Sequence, residues 1–97
     1  MTMHKPTHPG EFIRSVYLEP FDISARALAE NLAVSPSTLN RIMTGKSGIS
    51  PEMALRLSKA LGRSAESWLA MQDQYDLWQA KKTAKLDQVR HVVFEVA

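Results

Sequence analysis

The run Ser35–Lys46, "SPSTLNRIMTGK", sets short hydroxyls, an amide, a guanidinium and an ammonium around apolar positions. If Leu39 and Ile42 face inward on a helix, 3.6-residue periodicity leaves Ser37, Thr38, Asn40, Arg41 and Thr44 on or near the outer side. These groups have the size and bonding capacity to reach base edges. An arginine fork matches guanine O6 and N7, and an asparagine amide matches adenine N6 and N7. A helix beginning at Ser35 would add exposed N–H groups that favour a phosphate. Lys46, just past Gly45, and Arg26, at the start of the preceding segment, are placed to hold a sugar-phosphate backbone. The candidate DNA contacts are therefore Arg26, Ser35, Ser37, Thr38, Asn40, Arg41 and Lys46.

Presenting such a row requires a short helix, a turn of about three residues and a second helix free to enter a groove. Capping chemistry supplies both. Ser24 is a plausible N-cap for a helix whose inner residues are Ala25, Leu28, Ala29 and Leu32. Ser35 caps the next, with Pro36 at the first helical position, where a missing N–H costs nothing, and Leu39, Ile42 and Met43 inside; Gly45 ends it. Ala29 sits where the two helices approach most closely. Ala33 occupies the turn position where glycine is commonest, which suggests a backbone without a positive φ there.

The rest of the chain reads as support for that pair. Pro9, Gly10 and Glu11 open a first helix to about Leu18 with Phe12, Ile13, Val16 and Tyr17 as its apolar stripe. Ser50-Pro51-Glu52 starts a fourth, with Met53, Ala54, Leu57, Ala60 and Leu61 inside and Gly62 as its stop. Ser64 caps a longer fifth helix carrying Trp68, Met71, Tyr75 and Trp78 at helical spacing. Five short helices have little use for so long an apolar stripe, so part of it is expected to face a second subunit; Trp68, Met71, Tyr75 and Trp78 are the candidate dimer contacts. In "VRHVVFEVA" the alternation of Val92, Phe94 and Val96 suggests a short terminal strand. The organisation is a flexible lead at 1–8, a helical domain at 9–82 and a tail at 83–97.

A chain of 97 residues with 44% apolar content has surface enough for one core. It has no cysteine, which excludes disulfides and thiolate metal sites. The start has no apolar signal-like core and no window approaches a membrane span, which points to a cytoplasmic protein. Net charge is only +2, yet Ser24–Arg63 holds six cations against two carboxylates. Gly45-Lys46-Ser47 imitates a phosphate loop, but Asn40 stands where its first glycine is required, and helix precedes it instead of strand. His4, His8 and His91 have no ligand spacing, and no serine is paired with a histidine, so neither a metal site, a cofactor nor an enzyme is expected. Trp68, Tyr75 and Trp78 lack the interleaved cations of an open single-strand groove.

The stretch from Pro9 to about Lys82 resembles the five-helix, all-α DNA-binding domain of the xenobiotic-response-element and lambda-repressor family, in its HigA antitoxin branch. "HPGE" at His8–Glu11, the "TGK…I.PEMALRLSKALG" framework and "WLAMQ..YDLW" at Trp68–Trp78 carry the likeness. The resemblance implies a homodimer that represses its own operon at a palindromic operator and neutralises a RelE-like, mRNA-cleaving toxin, a small basic protein. By position, Ser35, Ser37, Thr38 and Arg41 match the base-reading face, with Arg26 and Lys46 at phosphate-contacting places. Two other classes share the scaffold: a stand-alone repressor without a toxin, and a partner-binding module that has lost DNA binding. Operator binding with strong salt dependence and the neighbouring reading frame discriminate them.

Overall fold

A computed structural model describes residues 4–96. Helix α1, Pro9–Phe12, runs directly into a π-helical segment, Ile13–Leu18; then come α2 (Ala25–Leu32), α3 (Pro36–Met43), α4 (Pro51–Leu61) and α5 (Ala65–Thr83). The start signals are the expected ones. Ser24, Ser35, Ser50 and Ser64 each accept a hydrogen bond from the backbone N–H three residues on, at 3.1 Å in every case. Proline opens α1, α3 and α4.

The first helix departs from the expected pattern. Bonding from Glu19 N–H back to the Arg14 carbonyl, five residues away, stacks residues five apart over one another. Ile13 and Leu18 therefore both enter the core, while Val16, assigned to the stripe by α-helical spacing, is 40% exposed. The core joins these two to Leu28, Ala29, Leu32, Leu39, Ile42, Met43, Ile49, Met53, Ala54, Leu57 and Trp68. Ala25 and Ala60, expected inside, are exposed.

Close approach explains the glycine in "HPGE". A Cβ on Gly10 would lie 2.8 Å from the Met43 Cα and closer still to the Ile42 carbonyl, so α1 can rest on the end of α3 only without one. His8 caps this helix, its Nδ1 accepting from Gly10 N–H at 3.0 Å.

The lead and the tail behave differently from each other. Residues 1–3 lie outside the described residues, but 4–8 lie along α5: the His8 ring stands edge-on to Tyr75 at 4.8 Å and Lys5 reaches 5.8 Å from the Trp78 ring. The tail forms no strand among the described residues. Residues 84–96 are exposed and irregular apart from a turn closed by Val89 N–H on the Leu86 carbonyl at 2.9 Å. A β-strand has unpaired N–H and C=O groups along both sides, and the described residues offer it no neighbouring strand. The radius of gyration, 17.5 Å, exceeds the roughly 13 Å of a compact chain of this length because the tail leaves the body.

Candidate nucleic-acid interface

The α2–α3 turn is built by the backbone. Val34 N–H bonds the Ala29 carbonyl and Ala33 N–H the Glu30 carbonyl, both at 3.1 Å, with Ala33 left-handed at φ 57°. The expectation that alanine here signals a backbone without positive φ is thus corrected: the closure of α2 requires that conformation, and alanine bears the strain. The guanidinium of Arg56, from α4, covers the end of α2, with Nη1 donating to the Leu32 and Ala33 carbonyls at 2.8 and 3.3 Å. Its other face binds Glu52 at 2.9 Å, the one ion pair among the described residues. Arg56 and Arg63, counted at first with the excess positive charge, are thereby committed to structure. Arg63 stacks 4.9 Å from Phe12 and 5.9 Å from Trp68.

Along α3 the burial of Leu39, Ile42 and Met43 turns the opposite side to solvent. Ser35, Ser37 and Thr38 form one exposed cluster: Ser35 Oγ lies 2.8 Å from Thr38 Oγ1 and 3.2 Å from Ser37 Oγ. Arg41 is one turn beyond Ser37, exposed and in no ion pair among the described residues. Asn40 faces a groove shared with Arg14, Asp22, Ala25 and Met43, on the side where α2 begins and Arg26 is exposed. Asn40 and Arg41 thus diverge instead of pointing to one spot.

Gly45 ends α3 at φ 76°, with its N–H on the Ile42 carbonyl at 3.1 Å and Lys46 N–H on the Arg41 carbonyl at 2.8 Å. This closure leaves Lys46 exposed just past the helix. Two further residues, one on this surface and one buried behind it, escaped the sequence reading. Arg14, exposed on the π segment, lines both the Asn40 groove and a second one with Thr44 and Gly45. It lay outside the basic segment on which the charge argument rested. Gln72 is buried and receives Ile49 N–H on its Oε1 at 3.0 Å. Its signal was position: a polar residue in the middle of the Trp68–Tyr75 stripe.

The aromatic helix divides. Trp68 is wholly enclosed beside Phe12 and Tyr17, at ring distances of 5.8 and 6.1 Å, and has no surface left for a second subunit, so it leaves the set of candidate dimer contacts. Met71, Tyr75 and Trp78 remain partly exposed, with Lys82 Nζ 3.6 Å from the Trp78 ring. Below this face, His8 is held toward its neutral form, its pKa lowered by burial against the weaker opposing pull of Asp76 and Glu11.

A capped helix with an exposed polar and cationic row, following a tight turn, is the arrangement of a major-groove reader. The family model described as "Helix-turn-helix" matches residues 16–68. The chain belongs to the helix-turn-helix family, in its HigA antitoxin branch. It is 49% identical over 75 residues to virulence-associated protein I of Dichelobacter nodosus, covering 77% of this chain and 69% of that one. To antitoxin HigA-1 of Vibrio cholerae it is 35% identical over 80 residues, covering 82% and 75% of the two chains. Antitoxin GraA, 35% identical, superposes with a TM-score of 0.86 over 93% of this chain and all of that one; GraA solved in complex with its operator gives 0.84 over 97% and 98%. This is a family of DNA-binding regulators and not an enzyme class. No helix among the described residues is long and apolar enough to cross a membrane.

Proposed function

We propose that this chain is the antitoxin of a toxin–antitoxin pair and represses its own operon as a homodimer. The observation that carries the reading is the outward row of α3, with Ser35, Ser37, Thr38 and Arg41 on a helix capped at both ends, flanked by the exposed cations Arg26 and Lys46. The likeness to GraA solved with its operator supports it. In this reading Arg41 reads a base edge through its guanidinium fork, while the Ser35 end of α3 and the side chains of Lys46 and Arg26 hold phosphates. Asn40 reads at the edge of the footprint, on the α1 side. Two copies of α3, about 34 Å apart, meet successive major grooves of a palindrome.

Dimerisation uses the exposed parts of Met71, Tyr75 and Trp78, and the tail segment Val92–Val96 supplies a strand that pairs with a second copy. The toxin is RelE-like, a small basic protein encoded beside this chain. Co-expression with the neighbouring reading frame tests the antitoxin role. Co-purification together with rescue of a growth arrest is the expected result. Absence of both complex and toxicity would leave a stand-alone repressor.

A further inference from the structure

We propose that Gln72, on α5, is a positioning residue for DNA binding: it sets the backbone of the loop that presents Lys46. The proposal rests on the reading of Lys46 as a phosphate contact.

The loop from Thr44 to Ser50 is fixed at its two ends by neighbouring helices. Lys46 N–H and Ser47 N–H both close on the Arg41 carbonyl, and Ser50 caps α4. Between these points, the only side-chain hydrogen bond to the loop among the described residues is the one from Ile49 N–H to Gln72 Oε1, 3.0 Å long. The orientation of the amide follows from chemistry. A backbone N–H can only donate, so the oxygen faces Ile49, and Nε2 donates to Asp76 Oδ1 at 2.9 Å. Both ends of the amide are thereby used, and its plane is fixed from α5.

The loop backbone also lies flat against this group. A Cβ on Gly48 would stand 3.0 Å from Gln72 Cδ, closer than ordinary contacts allow, so the glycine permits the approach that the hydrogen bond requires. Gln72 lies one turn beyond Trp68, close to Ile49, where methionine or leucine would continue the apolar stripe. A buried amide there is costly unless its bonds are made. Here both are made, one to Asp76 on the same helix and the other to the loop that leads out of the recognition helix.

The test is the salt dependence of binding to a fluorescein-labelled duplex carrying the DNA upstream of this reading frame, for full-length wild type, Lys46→Ala, Gln72→Met and the double variant. Each phosphate contact contributes about one unit to the slope of log K against log salt, whereas a merely destabilised protein loses active fraction at unchanged slope. Lys46→Ala and Gln72→Met are each expected to reduce the slope by about one, and the double variant to reduce it no further. If Lys46→Ala itself leaves the slope unchanged, the phosphate role of Lys46 falls, and the Gln72 proposal with it. If Lys46→Ala lowers the slope and Gln72→Met does not, the Gln72 inference alone is overturned. Should Gln72→Met fail to fold, Gly48→Ala crowds the Gln72 amide from the loop side; the same slope loss supports the proposal, and a wild-type slope overturns it.

Discussion

His8 joins sequence chemistry to solution behaviour through one proton. Its Nδ1 accepts the Gly10 N–H at 3.0 Å, which only the unprotonated nitrogen can do. Burial lowers its pKa from the ordinary value of 6.5, so the unfolded chain takes up the proton before the folded one. Stability is therefore full above pH 6.5 and declines as pH falls from there toward the folded value. Denaturant melts across that range should show the decline in wild type and a flatter profile in His8→Asn, which keeps a capping oxygen without the titration. Arg56 is the second case in which one residue does more than its charge suggested. Arg56→Met should cost roughly 1–2 kcal/mol in urea unfolding, because the Leu32 and Ala33 carbonyls lose their donor. Glu52→Gln should cost well under 1 kcal/mol, since that pair is largely solvated. Neither role was visible in the sequence. A charge count cannot tell an arginine that turns inward over a helix end from one left in solvent.

Helix starts were legible because capping is local: a serine N-cap with an apolar stripe decides α2 to α5, joined by a proline at the first helical position in α3 and α4. What stayed hidden depended on partners distant in sequence. The π segment is selected by where Ile13 and Leu18 must both reach, and Gly10 by the approach of α3 from more than thirty residues away. Ala33 was misread for a related reason, since composition at a turn does not reveal the sign of φ when a non-glycine residue tolerates strain. Two substitutions separate these effects. Ala33→Gly should raise stability by up to about 1 kcal/mol, as the left-handed position loses its Cβ penalty against the greater freedom of glycine in the unfolded chain. Gly10→Ala should lower it by roughly 1–3 kcal/mol, by overpacking against the backbone of Ile42 and Met43. Both are read from urea midpoints at constant slope.

At the scale of the whole molecule, a small helical body carries the proposed reading helix on one side and exposed apolar surface elsewhere. The row on α3 was legible from spacing alone, because burying Leu39 and Ile42 leaves no other face for Ser37 and Arg41. The candidate dimer contacts were less so. Periodicity grouped Trp68 with Trp78, and only the packing of Phe12, Tyr17 and Arg63 shows that the first is sealed within its own chain. If the tail pairs with a second copy, removing residues 92–97 should shift sedimentation from dimer toward monomer at micromolar concentration while leaving the helical circular dichroism of the body intact. The most direct test of the central claim compares wild type with Arg41→Ala on the DNA upstream of this reading frame and on a mixed-sequence duplex of equal length. Loss of roughly 1–3 kcal/mol on the upstream DNA, with little change on the mixed sequence, is the expected result. Unchanged affinity for both duplexes would contradict the placement of α3 in the major groove.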